Sequence, residues 1–143
     1  MSEIIITKSL ETLGQAYITA LTTQKLESLK TIFGQQLRFR ALVPRRLCEG
    51  QSTDEAIEWL RRWFGEADEI QVLQSSAAQV FDRLYLNYRL RVHDVINGWR
   101  VIEQHAYLIV QDGQIVDMWL LCSGFRPEGS NVIAPECKWV PPG

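Results

Sequence analysis

From Leu10 to Phe33 the apolar residues Leu10, Leu13, Tyr17, Leu21, Leu26, Leu29, Ile32 and Phe33 recur mostly at steps of three and four, the spacing of one helical face. Thr22-Thr23-Gln24-Lys25 interrupts the pattern. It predicts a long helix and then a short one from Gln24 to Phe33, capped by Thr23. Gly34 ends the helical period, and Leu37, Phe39, Ala41 and Val43 then alternate with Arg38, Arg40 and Leu42, as in a half-buried strand that Pro44 closes. Ser52 or Thr53, followed by Asp54, Glu55 and the apolar set Ala56, Ile57, Leu60, Trp63 and Phe64, has the polar cap and acidic first turn of another helix, stopped at Gly65.

Beyond this point the period changes from helical to two. Ile70 to Gln79 is a modest strand candidate, and Leu84, Leu86, Tyr88, Leu90 and Val92 alternate with Tyr85, Asn87, Arg89, Arg91 and His93, which predicts a long strand with one dry face. Trp99 to Gln111 and Gln114 to about Phe125 continue the pattern. Between them lie Asn97-Gly98 and Asp112-Gly113, dipeptides that accept the positive φ angles of a two-residue hairpin. The helical segments cannot close a core alone, so this order predicts an α+β fold in which a strongly curved, mostly antiparallel sheet wraps the long helix and encloses a pocket. An irregular tail is expected from about Pro127 to Gly143.

Composition narrows the function classes. The 143 residues suit one domain, 46% are hydrophobic, 22% are charged, and the formal net charge is -2. Basic residues are scattered among acidic ones, with no basic stripe to hold nucleic acid. Cys48, Cys122 and Cys137 are an odd number at wide spacing, which suits neither a disulfide framework nor a zinc site, and the two histidines, His93 and His105, lack ligand-spaced companions. Neither a metal nor another cofactor is expected. No apolar run has the length of a membrane span or of a signal-peptide core, so a soluble cytoplasmic protein is expected.

A long helix, a short helix, a strand, a third helix and a meander of long strands resembles the nuclear transport factor 2-like fold. Tyr17-Ile18-Thr19-Ala20-Leu21, with Leu26 to Phe33, resembles the start shared by ketosteroid isomerase and the SnoaL-like polyketide cyclases, and Asp112-Gly113-Gln114-Ile115-Val116 resembles their final hairpin. The resemblance implies a cone-shaped barrel that dimerises through the outer face of its sheet. It also puts Tyr17 where the isomerase carries its oxyanion-hole tyrosine. The isomerase's aspartate base would fall among Arg40, Ala41 and Leu42, the second oxyanion-hole acid or the cyclases' histidine at Ala106 beside His105, and the cyclases' acid/base aspartate near Leu120. The expected carboxylates are absent from all three places.

The alternation turns Ile102, Gln104, Ala106 and Leu108 inward and Glu103, His105 and Tyr107 outward. An amide among apolar neighbours needs partners, so Gln104 either bonds a ligand carbonyl or hydroxyl, or fixes the core through Tyr17 or backbone. The expected cavity is lined by some of Tyr17, Trp63, Tyr88, Gln104, Leu108 and Cys122 and takes a small hydrophobic molecule. Tyr17, Gln104 and His105 are the candidates for isomerase-like or cyclase-like proton transfer. The outward Glu103, His105 and Tyr107 are candidates for a homodimer interface. The alternative is a non-catalytic association module whose cavity is filled by its own side chains.

Overall fold

A computed structural model describes residues 2–128, with side chains from Leu10 onward. The expected tail, apart from its first two residues, and Cys137 lie outside the described residues. Helix α1 spans Ser2–Thr22, and a 3-10 turn follows at Leu26–Thr31. Strands β1 (Phe33–Val43) and β2 (Arg46–Gly50) precede helix α2 (Thr53–Phe64), and β3 (Glu69–Val80), β4 (Arg83–Asp94), β5 (Gly98–Gln111) and β6 (Gln114–Cys122) complete the meander. A two-residue β7, Arg126–Pro127, pairs with Arg100 and Val101 of β5. The sheet runs β2-β1-β6-β5-β4-β3, antiparallel except for the parallel pair β1 and β6.

Three local expectations are corrected. The short helix is a 3-10 turn because its cap is spent elsewhere: the Thr23 hydroxyl donates to Thr19 O at 2.7 Å, and Gln24 turns the chain with φ of 60°. Gln24 then ties this corner to α2 by donating to the carbonyls of Phe64 and Ala67. Pro44 does not simply end a strand, since Val43 faces Arg46 across a Pro44-Arg45 turn whose second residue has φ of 71°, the positive angle a type II turn requires. The β4–β5 connection is three residues, Val95 to Asn97, with Gly98 alone in the left-handed region. Asp94 sets that turn by accepting from the backbone N–H of Ile96 and Asn97, and these bonds, with the Asn97 side chain and Arg100, hold its carboxyl below the usual range.

Asp112-Gly113 is the expected two-residue hairpin, with φ of 53° and 76° between paired Gln111 and Gln114. Helix α2 starts at Ser52, whose hydroxyl accepts from Glu55 N at 3.2 Å. Its face of Ala56, Ile57, Leu60 and Phe64 is buried, and α1 contributes Leu10, Tyr17, Ile18, Ala20 and Leu21 to the same core. A side chain at Gly14 would come within 2.6 Å of Leu86, so glycine lets α1 lie directly on β4.

The β3–β4 hairpin turns at Phe81-Asp82, and Phe81 holds φ of 58° while 91% exposed. A bulky residue there bears a left-handed backbone with no packing to offset it. Phe81→Gly is therefore expected to stabilise the fold by about 1 kcal/mol, read as a higher urea midpoint at unchanged slope.

Candidate functional site

The polar groups inside the cone form one chain. Tyr88 of β4 donates its hydroxyl to Gln104 Oε1 of β5 at 2.6 Å. Its only proton is thereby used, so at the 2.9 Å contact between the two phenols Tyr17 donates to Tyr88. The Gln104 amide nitrogen lies 3.2 Å from Cys122 Sγ of β6, which also accepts from Gly124 N at 3.3 Å. Three strands and α1 are thus joined through the core by side chains alone.

This chain is sealed. Tyr17, Gln104, Ala106 and Leu108 have 0% exposure, and a side chain bordering even a one-water void would retain accessible surface. Burial pushes both phenols up: Tyr17 lies above the ordinary tyrosine value although its bond to Tyr88 works the other way, and Tyr88 is raised further by Tyr17 beside it. Neither ionises near neutrality. Because the unfolded phenols keep ordinary values, this contribution to stability is complete below about pH 10 and is lost as pH rises above it.

Other expected cavity residues lie at the periphery. Trp63 is half-buried against Phe39 and Trp59, with ring centroids 6.3 and 6.0 Å away, and borders a concavity of about 760 Å³ shared with Arg62, Val92, Arg100 and Phe125. Cys122 is buried as a thiol acceptor and touches a separate concavity of about 540 Å³ that includes Arg89, Glu103, His105 and Leu121. Of the three positions among which the resemblance puts a catalytic aspartate, Ala41 is buried in the core and Leu42 is exposed. Arg40 points outward, bonded to Asp117 at 2.6 Å with its guanidinium 3.9 Å over Trp119.

His105 lies on the outer face in a saturated network. Nε2 lies 2.8 Å from Glu103 Oε2, Nδ1 lies 2.6 Å from the Tyr85 hydroxyl, and Arg89 holds the other Glu103 oxygen at 2.8 Å. His105 and then Arg89 keep the Glu103 carboxyl below its usual range. Both imidazole nitrogens are occupied, so proton transfer to a ligand requires one of these bonds to break. Among the described residues no three His, Cys, Asp or Glu side chains gather as a metal set.

The sequence reading missed most of the apolar outer face. Register places Leu47, Leu42, Leu121 and His105 side by side across β2, β1, β6 and β5, and Trp119, Tyr107 and Tyr85 in the next row. Leu42, Leu47, Tyr107, Trp119 and Leu121 are all exposed, Leu121 by 55%. The available signal was the unbroken apolar run Trp119-Leu120-Leu121-Cys122, which is apolar on both faces of its strand.

The cone of sheet around α1 is found in many solved structures. A hypothetical protein with a ketosteroid isomerase-like fold from Catenulispora acidiphila, solved in complex with trimethylamine, superposes with TM-score 0.67 at 13% identity over 90% of this chain and 97% of that one. The chain has the nuclear transport factor 2-like fold. A protein of Shewanella putrefaciens assigned as a SnoaL-like polyketide cyclase gives TM-score 0.65 at 13% identity over 80% and 79% of the two chains. An LEH-like epoxide hydrolase of M. tuberculosis gives 0.62 at 12% identity over 81% and 84%. No protein-family model matches the nuclear transport factor 2-like chain described here, and no curated protein sequence matches it.

Replacing Gln104 by Leu strands the Tyr88 hydroxyl in an apolar core. A loss of about 1–3 kcal/mol is expected, against about 1 kcal/mol or less for Tyr17→Phe, which removes only the terminal donor. Equilibrium urea denaturation of the two variants checks the order.

Proposed function

We propose that the protein is a non-catalytic association module that works as a homodimer through the outer face of its sheet. The observation that carries this reading is the contrast between the two faces. Around Tyr17, Tyr88 and Gln104 the inner one is closely packed and its polar atoms are bonded to one another, whereas the outer one exposes two adjacent rows of leucines and aromatics. An apolar patch of this kind marks an interaction surface. Tyr107 lies inside the patch, with His105 and Glu103 beside it as a polar rim, the arrangement usual at interfaces.

Two-fold pairing of the patch is self-complementary. The ion pairs Arg40–Asp117 and Arg89–Glu103 neutralise the charges that such pairing would bring together. The buried free thiols Cys48 and Cys122 support a reducing compartment, and the cytoplasm belongs to the same proposal.

A second reading is favoured by the polar chain itself. A small hydrophobic carbonyl compound could accept from Tyr88 in place of Gln104, with Tyr17 behind it, once the core opened to admit it. Tyr17, Trp63, Tyr88, Gln104, Leu108 and Cys122 would then contribute to ligand binding, and isomerase-like or cyclase-like proton transfer would belong to this reading alone. Native mass spectrometry of protein from its own source distinguishes the two by a retained small molecule.

The outer-face proposal predicts that light scattering on the eluting wild type reports an assembly whose mass falls about twofold in Leu121→Arg, with far-ultraviolet circular dichroism unchanged. Equal masses for the two proteins would remove the outer face from the interface.

A further inference from the structure

The concavity of about 760 Å³ lies between the last turn of α2 and the adjoining ends of β4 and β5, and none of Tyr17, Tyr88 and Gln104 borders it. Register puts Arg100 opposite the buried Val92, so its side chain lies on the inner side of the sheet. Its guanidinium carbon sits 4.2 Å from the centre of the Phe125 ring, and Nη2 donates to Asp94 Oδ2 at 3.0 Å. These contacts fix the group and leave most of its donors unused. Nε is buried without a hydrogen-bond partner, and Nη1 has none among the described residues. A buried donor of this kind calls for an acceptor. Asp94 does not supply it, because its oxygens already accept from the backbone of Ile96 and Asn97, from the Asn97 side chain and from Arg100 Nη2.

We infer that this concavity binds a small carboxylic acid with an aliphatic or aromatic body, its carboxylate on the Arg100 guanidinium. The unused groups of Arg100 are donors only, so the ligand has to present acceptors, and the planar fork matches the two oxygens of a carboxylate. Arg62 supplies a further positive charge. It is exposed, lies 4.9 Å over the Trp59 ring and pairs with no carboxylate among the described residues, whereas its neighbour Arg61 is held by Glu27 and Glu58. Of the acids at the rim, Asp94 is neutralised by Arg100, and Glu66 is exposed to water, where salt screens it. The remaining wall is apolar: Trp63, Val92, Phe125 and, at the lip, Ile96, which is 80% exposed beside the turn that Asp94 holds. The body of the ligand leaves water against these side chains. The core chain stays closed, and the site shares no residue with the outer-face patch.

Phenylacetate, indoleacetate and octanoate, each beside its primary amide, are the probes. Nitrogen–proton correlation NMR of the full chain is the readout, because the Arg100 Nε–H group gives a signal of its own. The expected result is that at least one acid shifts this signal saturably and that its amide binds at least about tenfold more weakly. Arg62→Gln, at an exposed position that leaves the core untouched, should weaken the same acid by about threefold. Arg100→Lys, which keeps the charge and loses the fork, should weaken it by about tenfold or more. Leu121→Arg should bind as the wild type does, so that this site and the outer face fail separately. An Arg100 signal that none of the acids moves, equal affinity for an acid and its amide, undiminished binding in Arg62→Gln, or loss of binding in Leu121→Arg would overturn the inference, and each of these results stands whether or not Arg100→Lys folds.

Discussion

The hydrogen-bonded chain from Tyr17 through Tyr88 to Gln104 is the constraint on which the arrangement depends. It crosses the core from α1 to β4 and β5, and each buried polar atom in it would be costly alone. Its direction is fixed by proton count, since the amide oxygen can only accept and Tyr88 has one proton to give. The helix must therefore present Tyr17 at the height of Tyr88. Gly14, one turn earlier, makes this possible by letting α1 approach Leu84 and Leu86 closely.

The proposal of a non-catalytic interior rests on the same chain. An oxyanion hole needs donors aimed at a substrate atom, and here the Tyr17 hydroxyl is already aimed at another phenol. A general base needs a carboxylate or imidazole facing the substrate. The cone instead places Arg40 outside, and Ala106 and Leu120 inside. One titratable cluster with organised surroundings, His105 with Glu103, Arg89 and Tyr85, lies on the other side of β5, and Asp94 at the inner end of β4 is held by its own turn and Arg100. A period of two makes this division strict, since neighbours along a strand face opposite sides. Chemistry that would have been internal at Gln104 is external at His105.

Much of this was legible in the sequence because long strands repeat their pattern many times. Leu84 to Val92 alternates over nine residues, and the Asp112-Gly113 hairpin anchors the count that turns Gln104 inward. Short elements offered no such repetition. Strand β2 buries only Cys48 and Gly50, too few to show a period, and the 3-10 turn at Leu26–Thr31 has helical spacing without a cap. The closing of the Tyr17 hydroxyl by Tyr88 was invisible for a different reason: the two are 71 residues apart, and only the packing of α1 on β4 brings them together. The outer patch escaped because it depends on lateral register between four strands, whereas single-strand periodicity reports only which face a residue takes.

On the proposed reading the interior around Tyr17, Tyr88 and Gln104 is closed and self-satisfied, and the protein's work lies on its surfaces. Proton NMR of the tyrosine hydroxyls in water, with and without a panel of hydrophobic carbonyl compounds, tests this most directly. Protons of a sealed hydrogen-bonded chain exchange slowly enough to be seen, and the account predicts that the Tyr17 and Tyr88 hydroxyl resonances are visible and unmoved by every compound. Resonances lost to exchange with water, or shifted by a compound at saturable concentration, would contradict it and return the cone to ligand binding.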